Sequence, residues 1–237
     1  EYQKNDDIMC HDEDESDGNG KQAAAPSILT MTVNSDGTML ATGDSKGSIY
    51  IWSIANGQCL VDLKAHVGSA ITCLDFSRDG EESSRILSSS QDGTCREFGL
   101  RAKRMLKEFR GHTSFVNSCA YVLKNKSGGS SSSSDRALEL LVVTASADGT
   151  VRVWCGRSAE IKYILNPSTT TTSNPSAIVS LSSSGGGSNS GDLGTNIHTI
   201  IPLHTPSNAM IVVPRGSTIY LMTYNGIVMR KFVNEGV

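Results

Sequence analysis

The feature that most constrains what this chain can fold into is internal repetition. Four segments can be laid over one another. In the first, runs at 28–33, 39–43 and 48–52 are separated by Asp36-Gly37 and by the turn from Asp44 to Gly47; in the second, runs at 71–76, 85–89 and 94–98 are separated by Asp79-Gly80 and Asp92-Gly93. The third has runs at 116–123, 140–145 and 150–154 with Asp148-Gly149 before the last; the fourth and weakest has 197–203, 209–213 and 217–222. Within the runs the pattern alternates, Ile49 and Ile51 against Tyr50 and Trp52, and Val151 and Val153 against Arg152 and Trp154, as half-buried strands require. Asp-Gly supplies tight turns because glycine, and less readily aspartate, accepts a positive φ. A further run follows each third strand, at 58–63, 104–109, 160–165 and 226–232, so each unit reads as four antiparallel strands.

Repeated four-stranded antiparallel sheets are the blades of a β-propeller. His66 and His112 lie 46 residues apart, close to the roughly 40–45 residues of a WD-repeat blade. The expected class is therefore all-β, and the repeats resemble the WD-repeat family, which implies a WD-repeat β-propeller with about four blades present of an expected seven. The reading divides the chain into the end of a preceding blade at 1–4, an acidic polar insert at 5–26, and repeats at 27–65, 66–111 and 112–166. The third repeat carries a Ser/Gly insert at 127–135, a Ser/Thr/Gly-rich insert fills 167–195, and a degenerate fourth repeat fills 196–237. Four blades do not close a seven-bladed ring, and a chain beginning at Glu1 rather than Met reads as a fragment.

Charge and cysteine content exclude several classes. The net charge is −3 over 237 residues, without the basic stripe that electrostatic nucleic-acid binding needs, so no sequence-specific nucleic-acid binding is expected. Arg101, Lys103, Arg104 and Lys107 form a small basic cluster on a fourth strand, which reads as an edge strand kept soluble by charge, with an RNA-backbone contact as the sharper alternative. The six cysteines contain no C-x-x-C pair and read as free thiols of a reducing compartment, so neither metal nor cofactor is expected. No apolar run reaches the length of a membrane span. His11, in the run His11-Asp-Glu-Asp-Glu-Ser-Asp17, reads as part of a solvated loop rather than a metal ligand, and Ser16 as a site for an acidophilic kinase. Asn125-Lys126-Ser127 matches the glycosylation sequon, against which the thiols argue.

One constellation recurs. Ala65-His66 and Gly111-His112 precede the second and third repeats, Asp92 and Asp148 sit in the turn before the third strand, and Trp154 ends that strand. Histidine, hydroxyl and aspartate together suggest a catalytic triad. Recurrence decides otherwise, since an active site occurs once and a fold clip once per blade. His66 with Asp92, and His112 with Thr144 or Ser146, Asp148 and Trp154, are therefore read as structural clips. No Gly-x-Ser-x-Gly elbow surrounds the serine runs, and no enzyme is expected. Arg110, Ser114 and Phe115 flank His112 on one rim and are the candidate partner-binding residues, against the alternative that Phe115 packs between blades.

The stretch from Leu100 to Asn117, with its core Leu106-Lys-Glu-Phe-Arg-Gly-His-Thr-Ser-Phe-Val-Asn117, resembles the blade junction of the Smu-type WD-repeat splicing factors. Similar stretches in the same order are Tyr2-Gln3, 39–43, 56–60, 217–222 and 226–232. Phe98 stands where a blade tryptophan is usual, a departure shared with that family, whereas the Ser/Gly-rich inserts are foreign to it. The resemblance implies a nuclear, non-catalytic scaffold of the precatalytic spliceosome with spliceosomal proteins as partners, and without the family's amino-terminal self-association region. The rival reading is a generic WD-repeat adaptor such as a ubiquitin-ligase substrate receptor.

Overall fold

Four-stranded units with apolar sheet faces must stack to remove those faces from water. The computed structural model describes residues 25–78, 85–125, 138–167, 196–203, 209–214 and 218–233. The all-β class holds: the described residues form four four-stranded antiparallel sheets and contain no helix. The first sheet is β1 (Ile28–Val33), β2 (Met39–Asp44), β3 (Ser48–Ser53) and β4 (Cys59–Lys64); the second is β5 (Ile71–Phe76), β6 (Arg85–Ser90), β7 (Cys95–Gly99) and β8 (Arg104–Phe109). The third is β9 (Val116–Asn125), β10 (Leu138–Ser146), β11 (Val151–Cys155) and β12 (Ile161–Leu165), and the fourth is β13 (Ile197–Pro202), β14 (Ala209–Pro214), β15 (Thr218–Thr223) and β16 (Val228–Val233). Each sheet is a meander in chain order.

Consecutive sheets meet along their first strands, β1 beside β5, β5 beside β9 and β9 beside β13. Between the first two sheets, Ala41, Ile49 and Ile51 face Ile71, Phe76, Ile86 and Phe98. Between the second and third, Leu87, Cys95 and Phe109 meet Cys119, Tyr121, Val142 and Trp154. Between the third and fourth, Leu141, Val143 and Val153 meet Met210, Val212 and Met222. Each large side chain buried this way contributes about 1.5–3 kcal/mol, which is why alternation on β-strands converts into a stack.

The third sheet's first hairpin is longer than its apolar pattern. β9 runs on to Asn125 and β10 begins at Leu138, with Lys124 paired to Glu139 in the ladder. Main-chain pairing continues past the last apolar side chain because the ladder bonds need none. Lys107 also departs from expectation: it lies not on an open basic surface but against the buried Glu97, its Nζ 2.6 Å from the carboxylate. Cys59, Cys73, Cys95, Cys119 and Cys155 are free. Cys10, His11, Ser16, the Ser/Gly insert at 127–135 and residues 168–195 lie outside the described residues.

A recurring irregularity aligns the four sheets independently of residue type. The pairing of third with fourth strand slips by one residue immediately before Trp52, Phe98, Trp154 and Met222, a bulge that re-aims the side chain after it. Counting back through the β2–β3, β6–β7, β10–β11 and β14–β15 registers makes Thr42, Ser88, Thr144 and Val212 equivalent. The fourth sheet therefore carries an apolar pair, Met222 and Val212, where the third carries an indole and a hydroxyl.

Candidate functional site

The connection from β8 to β9 delivers His112 to the third sheet. Its Nδ1 lies 2.9 Å from Asp148 Oδ2 and its Nε2 lies 2.7 Å from Thr144 Oγ1. The Trp154 indole N–H donates to the same Thr144 oxygen at 2.9 Å. Every group in this chain is satisfied when the Thr144 hydroxyl accepts the indole N–H and donates to Nε2 while the ring N–H at Nδ1 donates to Asp148. The remaining Asp148 oxygen accepts from the Thr150 amide and hydroxyl at 2.9 and 2.6 Å, and Thr113 N–H also reaches Oδ2. Burial pushes the Asp148 carboxyl up, but the hydrogen bonds from His112 and Thr150 outweigh it and hold the group well below the usual carboxylate range. Gly149 makes the turn possible at φ +81. Gly111, at φ +148, admits the Arg152 side chain, whose Nη1 a Cβ would meet at 2.3 Å.

The second sheet repeats the arrangement. His66 Nδ1 lies 2.8 Å from Asp92 Oδ2 and Nε2 lies 2.9 Å from Ser88 Oγ. Burial holds the His66 imidazole toward its neutral form against the pull of Asp92. Phe98 supplies no indole donor, so this chain of bonds ends at Ser88. Of the two hydroxyls proposed for His112, Thr144 is the partner. Ser146 instead donates to the Phe115 carbonyl at 2.9 Å and accepts from the Asp148 amide at 3.1 Å, tying the rim loop to the turn. Thr144 is fully buried and engaged on both sides, so the arrangement binds a sheet together and presents no nucleophile to solvent.

Sequence reasoning missed the first sheet's version. Trp52 Nε1–H donates to Thr42 Oγ1 at 2.9 Å, and Asp44 Oδ1 accepts from the Lys46 and Ser48 amides. Asp44 Oδ2 is buried with no partner among the described residues. The ten-residue spacing of Thr42 to Trp52 equals that of Thr144 to Trp154 and was the available signal. Also missed was the network on Glu97, whose side chain has no exposure and accepts from Arg85 Nη1 at 3.2 Å, Lys107 Nζ at 2.6 Å and Tyr121 O–H at 2.9 Å.

Asp75 on β5 bridges to the third sheet by accepting the Tyr121 amide at 2.8 Å, with Arg78 at 4.0 Å as its charged neighbour. Burial pushes its carboxyl up to about 6 from an ordinary 3.8. Because the folded value lies above the unfolded one, ionisation costs stability; the cost is absent below about pH 4 and complete above about pH 6. Asp75→Asn keeps the acceptor for Tyr121 and is expected to be about 1–3 kcal/mol more stable than the parent at pH 8. That advantage should vanish as the pH falls to 4. Urea melts at the two pH values check it, and parallel losses in both proteins would remove Asp75 as the source.

The three candidate rim residues converge beside this clip. Arg110 is 69% exposed and pairs with Glu108 through Nε. Ser114 is half-buried, its carbonyl facing Ser146 Oγ. Phe115 is 52% exposed, its carbonyl bound and its ring in water, which argues against its serving as packing between sheets.

The family described as "WD domain, G-beta repeat" matches residues 20–53, 57–98 and 103–155, more than half of the chain. Those stretches take in the first three sheets almost whole and leave out the fourth, where Met222 and Val212 replace the hydrogen-bonded pair. Protein ROOT INITIATION DEFECTIVE 3 of Arabidopsis thaliana is 31% identical over 150 residues, 60% of this chain and 31% of its own length. WD repeat and SOCS box-containing protein 1 of Homo sapiens is 38% identical over 87 residues, 36% of this chain and 20% of its own. Periodic tryptophan protein 2 homolog of Caenorhabditis elegans is 33% identical over 84 residues, 35% and 9% respectively. The chain thus spans less than a third of the length of each of these relatives. With its recurring four-stranded sheets and its His–Asp–hydroxyl clips, this chain belongs to the WD-repeat family.

Proposed function

We propose that this WD-repeat protein-interaction scaffold acts in the nucleus, holding spliceosomal proteins during pre-mRNA splicing, as a relative of the Smu-type factors. The observation that carries the reading is the junction from Leu100 to Asn117, where the resemblance is densest and where Phe115 is 52% exposed five residues after the exposed Arg110. A large aromatic with an arginine on a rim is the composition of an interface anchor, and rims are where a stack of sheets has main chain and side chains uncommitted to the ladder. A second reading, a substrate receptor of a ubiquitin ligase, is favoured by the 38% identity over 87 residues to a protein named for its SOCS box.

Capture from nuclear extract followed by mass spectrometry separates the two: splicing proteins support the first, cullin adaptors the second. Phe115→Ala is expected to shift stability by no more than about 0.5 kcal/mol, as an exposed substitution, while losing most of the captured partners. A fall in melting temperature, with capture tracking the folded fraction, would return Phe115 to the core and remove the rim as the interface.

A further inference from the structure

β4 and β8 are the outermost strands of adjacent sheets, and neither has a strand beyond it among the described residues. Between them runs a groove of about 480 Å³. Its floor includes Leu63 and Phe98, with Met105 at its side, and Met105 is 49% exposed. Lys103 and Arg104 stand at one end, and neither side chain makes an ion pair or hydrogen bond among the described residues. Arg96, by contrast, is held by Glu108 and the Ala65 carbonyl.

Lys103 is the telling residue. It sits in the left-handed region at φ 47, in the turn leading into β8, and the matching turns of the first and third sheets have Gly57 at φ 70 and Ala159 at φ 60. A charge needed only to keep an edge strand soluble fits any neighbouring position without strain. Here it occupies the one position where glycine would be unstrained. The cation is therefore placed at the mouth of the groove against local conformational preference.

We infer that the groove between β4 and β8 docks an extended acidic segment of a partner protein, its carboxylates on Lys103 and Arg104 and an aliphatic side chain on Met105, with the open edge of β8 available for main-chain pairing. Strand addition to an uncovered edge supplies affinity through the backbone and specificity through alternate side chains. A nucleic-acid strand fits less well. Asp62 and Glu108 also line the groove, and its aromatic ring, Phe98, is buried beneath the surface rather than offered for base stacking. The inference does not use Phe115 and stands whether or not the rim reading does.

The test is fluorescence anisotropy on the whole chain with a labelled octapeptide of alternating glutamate and leucine, against a control of alternating serine and leucine. Saturable binding of the acidic peptide alone is expected, weakened about ten-fold or more by Lys103→Gly with Arg104→Ser. Lys103→Gly relieves the left-handed strain, so a melting temperature equal to or above the parent's will show that lost binding is not lost folding. Phe115→Ala should bind the peptide as the parent does. Equal affinity in parent and double variant, equal binding of the serine control, or tighter binding of an oligouridylate at the same groove would each overturn the inference. Binding that emerges only when residues 12–17 are deleted would assign the groove to the chain's own acidic run and overturn the partner.

Discussion

Trp154→Ala is expected to destabilise the protein by about 3–5 kcal/mol, the range for a large aromatic removed from a core. Trp154 is 1% exposed. Its ring meets Phe109 edge-on at 5.7 Å between centroids and His112 at 6.3 Å, so truncation opens a cavity that two rigid rings cannot collapse into. It also takes from Thr144 Oγ1 the indole N–H that it accepts at 2.9 Å. Trp154→Phe separates the two effects, since it keeps most of the apolar volume and removes only the N–H. About 1 kcal/mol is expected for that change, the usual net worth of one hydrogen bond. The second sheet is the natural control: Phe98 packs there without an indole bond, and Phe98→Ala should cost less than Trp154→Ala. Urea melts of the three variants give the order, and equal losses at Phe98 and Trp154 would show that the indole bond contributes nothing.

Glu97→Ala is expected to cost about 3 kcal/mol, by a different route. Removing a buried carboxylate takes one ion pair from Arg85 and leaves Lys107 and the Tyr121 hydroxyl without the acceptor they share. Breaking one side of a buried pair is far more damaging than deleting the pair. Arg85 and Lys107 keep about a fifth of their side-chain exposure, so water softens the loss, and the estimate sits at the low end for a buried pair. Glu97→Leu combined with Lys107→Leu and Tyr121→Phe should recover much of what Glu97→Ala loses. If the combined variant is no better than Glu97→Ala, repulsion between the abandoned groups is not the cause, and the carboxylate matters for its volume alone.

The strands were legible because short apolar runs between turn residues recur in every one of the four units, alternating where one sheet face is wet and running continuously where the second and third sheets are dry on both faces. The second and third clips were legible because His66 and His112 stand a few residues before β5 and β9, five and four respectively. The first sheet's pair was overlooked because attention followed histidines, and none stands at that distance before β1. Glu97 was invisible for a stronger reason. In the run Thr94-Cys-Arg-Glu-Phe98 it reads as one of two adjacent charges on a half-exposed strand, and Lys107 reads as an edge cation. Glu97 is buried, with Lys107 drawn against it, where Tyr121 of the next sheet reaches it, a long-range fact that no local pattern encodes. The same holds for Asp75, whose partner amide belongs to the next sheet.

The turns that the clip aspartates brace are all short. The turns from β2 to β3, β6 to β7 and β10 to β11 span three or four residues, each braced by Asp44, Asp92 or Asp148, and the approaches to β5 and β9 hold a histidine at a set distance from that aspartate. The chain is long instead from β5 to β6, from β9 to β10 and, above all, from β12 to β13; the first two leave their sheets at the end opposite the His66–Asp92 and His112–Asp148 bonds. A hydrogen-bonded imidazole works as a ruler: any residue added within its reach pulls the ring off its carboxylate and is felt at once by the whole sheet. Connections outside its reach are unmetered. Descendants of this sequence are thus free to lengthen there while the metered turns stay short, so the pattern of loop lengths is itself an imprint of where the clips lie.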